Sequence, residues 1–215
     1  MPQEYVMLIT AAVLSYLFGS IPCGLLIGFY NGVDIRKVGS GNIGATNVTR
    51  SVSPLAGKLC FVCDFIKGLL PVVLSQALAP DHAVIALTAA LAAILGHIFP
   101  IYLKFKGGKG VSTAAGAALA LNPLALLAAA VVWVALFFAF RYVSLASIGA
   151  AVALPTCAWL FGVLKWGNQI STSPQVLGFF ILISALAILR HIGNIKRLCN
   201  GTENRFERKK HPDAK

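Results

Sequence analysis

Two short stretches carry most of the chemistry that this chain can be expected to do. They read Gly39-Ser40-Gly41-Asn42-Ile43-Gly44-Ala45-Thr46-Asn47 and Lys106-Gly107-Gly108-Lys109-Gly110. Glycine lets a backbone turn its N–H groups toward one point, and lysine adds a positive charge, so both stretches suit oxyanions such as phosphate. In the first, Ser40, Asn42, Thr46, Asn47 and Arg50 concentrate side-chain donors within a dozen positions. In the second, Val111-Ser112-Thr113 opens a helix whose N-terminal N–H groups favour an anion. Neither is a nucleotide motif. Gly39-x-Gly41-x-x-Gly44 has dinucleotide spacing but no βαβ unit around it, and Lys109 is followed by Gly110, not by the Ser or Thr of a Walker A loop. In a third cluster His191 and Asn194 share one face at the end of the last apolar run, beside Arg190 and Arg197; it is either a plain polar helix end or the closing wall of the same site.

The elements that must position these residues are membrane helices. The 215-residue chain is 58% hydrophobic with mean hydropathy +0.80, beyond the range of a soluble domain. Its net charge of +11 reads as loop asymmetry across a bilayer, not as a nucleic-acid surface. Apolar runs predict membrane segments over 5–30, 57–79, 83–103, 111–121, 124–140, 143–163 and 175–190. The first has no basic start or small-residue cleavage site and is expected to be retained. The fourth, at about 1.5 Å per residue, reaches only half of a bilayer. Residues 111–139 form either one long helix or two helices folded back at Asn122-Pro123, and charge decides. With the fold-back, sixteen of the eighteen Lys and Arg share one face, and only Lys165 is opposite. The positive-inside rule then places the N-terminus outside and the C-terminus in the cytoplasm. The expected architecture is an all-α bundle of seven segments, one of them short or re-entrant. It forms a single domain over 1–202, with a charged tail at 203–215 frayed or lying on the membrane surface.

Charges inside such helices are costly and mark function by default. Asp64 and Lys67, three apart, form either a structural ion pair or a substrate contact; His97 packs, caps or faces the site. Cys60-x-x-Cys63 lies in an apolar run with no second pair and reads as small helix residues, so no metal is expected.

Three blocks now resemble a known family. They are Gly19-Ser20-Ile21-Pro22 with Gly39 to Arg50; Gly96-His97-Ile98-Phe99-Pro100 running into Phe105 to Thr113; and Arg190-His191 with Asn194-Ile195 and Arg197-Leu198. The chain is similar over almost its whole length to the bacterial PlsY family of acyl-phosphate:glycerol-3-phosphate acyltransferases, with Ser112 where that family commonly has Ala. The resemblance implies seven membrane helices and a site facing the cytoplasm of a bacterial inner membrane. The implied reaction is acyl transfer from a fatty acyl-phosphate to the 1-hydroxyl of glycerol 3-phosphate, the first acylation of phospholipid synthesis. It implies no cofactor, no nucleic acid, a lipid environment and a monomer. By the resemblance Ser40, Lys109, His191 and Asn194 are the expected catalytic residues. Ser20, Gly41, Asn42, Gly44, Thr46, Asn47, Arg50, Lys106, Gly107, Gly108, Gly110, Thr113 and Arg190 are the expected substrate-binding set.

The chemistry agrees with the residues available. A His-x₄-Asp acyltransferase motif is absent, since Leu87, Tyr102 and Lys196 stand at the acid position after His82, His97 and His191. Acyl-phosphate carries a good leaving group, so charge stabilisation and alignment suffice. Either His191 or a substrate phosphate takes the hydroxyl proton, and either loop could hold either phosphate. A transporter for a phosphorylated solute is the rival reading, but the cationic loops crowd one face and no inverted repeat shows.

Overall fold

The computed structural model describes residues 3–166 and 173–206, which contain ten α-helices, one 3₁₀ turn and no strand. The expected 5–30 run is not one helix. It divides into α1 (Gln3–Gly19) and α2 (Cys23–Tyr30). Pro22 lacks an N–H and biases its predecessor away from helix, and at the break the Ile21 carbonyl accepts from the Cys23 N–H at 3.0 Å and from Lys67 Nζ at 2.7 Å. The long connection that follows holds a short helix, α3 (Ala45–Ser51). Then comes α4 (Pro54–Leu78), started by Pro54 at its first position and by Ser53, whose Oγ accepts from the Ala56 N–H. α5 (Ala83–Ile98) stops before Pro100, and Ile101–Leu103 is a 3₁₀ turn, not the helix end expected up to 103.

The fold-back is present. α6 (Val111–Leu121) ends at Asn122, whose Oδ1 caps α7 (Pro123–Phe140) by accepting from the Ala125 N–H at 2.9 Å. α6 runs alongside α4 in the same direction: Thr113 packs on Gly68, and Gln76 donates to the Ala120 carbonyl. α7 returns, so that Phe137 packs against Phe206 near Arg50. α8 (Val143–Val163) and α9 (Pro174–Arg190) complete the bundle, and α10 (Ile192–Cys199) leaves α9 at 55°. The expected opposite-side connection at 164–174 lies partly outside the described residues.

Among the described residues four stretches are long and apolar enough to cross a membrane: Gln3–Tyr30, Ala83–Leu103, Pro123–Phe140 and Val143–Val163. The bent α9–α10 pair makes a fifth. Small residues let the helices approach closely, as where Ala89, Ala90, Ala93, Ala117 and Ala118 are fully buried. The main apolar core runs through α4 to α9 and ends at Ile98, Ile183 and their neighbours, beneath the loops.

The four basic segments meet at one end of this bundle. Arg190 donates to the Gly107 and Gly108 carbonyls, Arg50 to the Asn204 carbonyl, and the Phe206 N–H to the Arg141 carbonyl. Residues 203–206 are packed back onto the loops, where a tail frayed or lying on the membrane surface was expected from 203 onward; residues 207–215 lie outside the described part. Gly201, at φ +69°, makes that reversal after α10.

Candidate active site

The first glycine loop is built around a buried amide. Asn47 Oδ1 accepts from the Ser40 N–H at 2.9 Å, while its Nδ2 donates to the Ile35 and Val38 carbonyls at 2.8 and 3.2 Å. Asn42 Oδ1 accepts from the Gly44 N–H at 2.9 Å, an Asx turn that leads into α3. Gly41, at φ +69°, provides the left-handed step between them. Asn47 thus spends its whole amide on the loop and Asn42 its oxygen, and Ser40 Oγ is left with only a 3.5 Å contact from the Asn42 N–H.

The second loop is tied from both sides. The Gly107 and Gly108 N–H groups donate to the Ile98 and His97 carbonyls, and Arg190 holds the Gly107 and Gly108 carbonyls. Lys109 then reaches across to α10, its Nζ donating to Asn194 Oδ1 at 2.6 Å. Burial pushes the Lys109 amine down to about 8; nearby arginines push the same way, and Glu203 opposes.

Asn194 passes the connection on. Its Nδ2 donates to Glu203 Oε1 at 2.6 Å, Ser144 Oγ donates to the same oxygen at 2.8 Å, and Arg197 Nε donates to Oε2 at 2.7 Å. Burial raises the Glu203 pKa, but these three donors outweigh it and hold the carboxyl below its ordinary value. His191, in the break between α9 and α10, places Nδ1 2.8 Å from the Ala187 carbonyl. A carbonyl only accepts, so Nδ1 carries the proton and Nε2 bears the lone pair. Burial, then the charge of Lys109, depress this imidazole to about 4, so it is neutral at physiological pH.

These parts enclose a polar cavity of about 170 Å³. Of the expected residues, Ser40, Asn42, Gly44, Thr46, Asn47, Arg50, Lys109, Gly110, His191 and Asn194 line it, so both loops and the third cluster converge. Ser20, Gly41, Lys106, Gly107, Gly108, Thr113 and Arg190 stand off its wall. Ser20 donates to the Tyr16 carbonyl, Thr113 is buried against α4, Lys106 is exposed, and Arg190 holds the loop from outside. Glu203, Ser144, Asp64 and His97 line the cavity as well. Glu203 is hidden in sequence inside a basic run, and only the glycine after α10 hints that the chain turns back.

Beside the cavity runs an apolar groove of about 710 Å³ between α4, α6, α7, α8 and α9. The two share the wall formed by Thr46, Phe61, Val111, Trp133, Val143 and Ser147. At that junction Trp133 Nε1 donates to Ser147 Oγ at 3.2 Å. A cationic cavity against an alkyl-lined groove, within an all-helical membrane bundle, defines a protein that handles an amphiphile with an anionic head.

Comparison with known proteins narrows that class. The profile of the family described as glycerol-3-phosphate acyltransferase matches residues 9–201. A glycerol-3-phosphate acyltransferase of Geotalea daltonii is 45% identical over 208 residues, covering 97% of this chain and all of that protein. One from Aquifex aeolicus is 44% identical, covering 90% and 96%. Two crystal structures of PlsY, an integral membrane glycerol 3-phosphate acyltransferase, superpose closely. The glycerol 3-phosphate form gives a TM-score of 0.84 at 41% identity over 93% of this chain and 96% of that one. The lysophosphatidic acid form gives 0.82 at 40% identity, over 93% and 95%. The chain belongs to the PlsY family of integral membrane glycerol-3-phosphate acyltransferases.

Proposed function

We propose that this protein transfers a fatty acyl group from acyl-phosphate to the 1-hydroxyl of glycerol 3-phosphate, giving lysophosphatidic acid and inorganic phosphate. The observation that carries the reading is the shared wall: the cationic cavity and the alkyl groove adjoin at Trp133 and Ser147. An acyl chain in the groove brings its activated carbonyl to that junction, and the phosphates sit among Ser40, Arg50 and Lys109. Relatives named for glycerol 3-phosphate acylation, at over 40% identity across nearly the whole chain, support the acceptor. The donor follows from chemistry.

The hydroxyl oxygen attacks the acyl carbon, the C–O bond to phosphate breaks, and the hydroxyl proton must go to a base. Phosphate leaves readily, so the protein needs to stabilise charge and align the reactants, not supply a strong acid. Lys109 and Arg50 provide the positive charge. A neutral imidazole depressed to about 4 is a weak base. His191 therefore orders the site through Nε2, and a substrate phosphate oxygen takes the proton. Asn194 fixes Lys109 and is itself fixed by Glu203.

The bundle is placed with its loop end in the cytoplasm and its N-terminus outside, in the bacterial inner membrane, as seven segments of which α6 is a half-span. The gathering of the basic segments at one end supports this orientation. The protein acts as a monomer. The test is donor choice: purified protein is given glycerol 3-phosphate with either palmitoyl-phosphate or palmitoyl-CoA. Lysophosphatidate is expected with the phosphate donor. Product from the thioester alone would overturn the donor assignment.

A further inference from the structure

His97 is a buried residue near the end of α5, and the mechanism above makes no use of it. Its Nδ1 lies 3.4 Å from Lys67 Nζ and 3.6 Å from Asp64 Oδ1, and those two form an ion pair at 2.7 Å. Lys67 is pinned in turn to the Ile21 carbonyl, and Asp64 Oδ2 accepts from Cys60 Sγ at 3.6 Å. All three side chains are 5% exposed or less. The ring is thus held at its Nδ1 edge.

Its other edge bears on Gly108. A methyl group added at Gly108 would collide with His97 Nε2, and the three atoms nearest to it would all belong to that imidazole. Gly108 is outside the left-handed region, so its backbone would accept alanine; the ring alone requires glycine there. The His97 carbonyl also accepts the Gly108 N–H at 3.1 Å. The next residue is Lys109.

We propose that His97 is a positioning residue for Lys109. The imidazole, anchored by Asp64 and Lys67, is the stop against which Gly108 rests, and it sets where the Lys109 amine stands in the cavity. This idea rests on the proposed acyl transfer for its kinetic consequence, but not for its effect on Lys109 itself.

The test uses wild type, His97→Ala, Gly108→Ala and the double variant, as full chains in membranes and after detergent purification. In membranes, Lys109 is labelled with an amine-acylating reagent and its rate of modification is read by mass spectrometry. Each single variant is expected to label several-fold faster than wild type. Gly108→Ala leaves the buried ion pair intact, so it carries this test even if His97→Ala folds poorly. In the purified proteins, Gly108→Ala should lower kcat by about tenfold or more, since an ångström of misplacement costs on the order of a hundredfold. In the His97→Ala background, where the ring is gone, the added methyl should change kcat by less than about twofold, the signature of one shared contact. His97→Gln, which refills the space, should recover part of the His97→Ala loss. Equal labelling of Lys109 in wild type and Gly108→Ala would overturn the proposal, as would Gly108→Ala being equally harmful with and without the ring.

Discussion

Lys109 is where the proposed chemistry is most exposed to test. Its amine is buried, held at 2.6 Å by a neutral amide oxygen, and depressed to about 8 first by burial and then by Arg197, Arg190 and Arg50. A unit charge about 4 Å from an anion at an effective dielectric of about 20 contributes about 4 kcal/mol. At about 1.4 kcal/mol per tenfold, Lys109→Ala should lower kcat/KM by roughly a hundred- to a thousandfold. The protonated amine is the working form. In wild type, kcat/KM, which reports free enzyme, should therefore fall tenfold per pH unit above about pH 8. A bound phosphate favours the ammonium, so kcat should hold to higher pH than kcat/KM. The stability term has the opposite sign. The folded amine has the lower pKa, so the unfolded chain binds more protons between about pH 8 and the ordinary lysine range. This group therefore makes the fold more stable as pH rises through that window. Titration of this group thus costs activity without costing stability, and thermal melts at each pH will separate the two. The assay is phosphate release by purified protein from pH 6 to 10. A flat kcat/KM between pH 7 and 10, or a Lys109→Ala loss under tenfold, would refute the reasoning.

Glu203→Ala should reduce turnover at least about tenfold and lower the melting temperature, because Ser144, Asn194 and Arg197 each lose a charged partner; hydrogen bonds of that kind contribute about 1.5–3 kcal/mol apiece and do not add fully. Melting curves and turnover measured on one preparation check this. His191 should give no acid limb near pH 6.5, since its imidazole stays neutral down to about 4; a limb near pH 6.5 that disappears in His191→Gln would contradict the structure. Gly68→Leu should abolish recovery of folded protein, because even a Cβ at Gly68 collides with the Thr113 carbonyl where α4 meets α6, and size-exclusion yield reads the outcome.

What could be read from residue order was what local chemistry encodes. The fold-back at Asn122-Pro123 was legible because a side-chain cap and an N1 proline stand together between apolar runs, and loop charges favoured it over one long helix. The break inside 5–30 was not. A single Pro22 in a long apolar run is a weak signal, and the group that makes the break tolerable, Lys67, is forty-six positions from the Ile21 carbonyl it holds. Lys109 stood out by its glycine flanks. Asn42 and Asn47 looked like anion donors with equal right, yet only Asn47 spends its Nδ2 on nearby carbonyls, while Asn42 uses its oxygen alone, and that competition for the backbone is decided in three dimensions. Glu203 was illegible for a related reason. Its meaning comes from donors on α8 and α10, which no spacing rule connects.

That carboxylate also divides the cations near the cavity into two kinds. Arg197 is committed to Glu203 at 2.7 Å, and Lys67 to Asp64. Lys109 and Arg50 are held differently, through the neutral oxygens of Asn194 and the Asn204 backbone. A neutral acceptor orients a cation without cancelling its charge. Incoming phosphate oxygens therefore compete with a dipole at those two residues, and with a full negative charge at the others. Under the proposed function a phosphate is therefore expected at Lys109 and Arg50, while Arg197 stays with Glu203. Replacing Asn194 by Asp would place a carboxylate against Lys109 and remove that difference, so a neutral amide at this position is a requirement of the electrostatics and not only of shape.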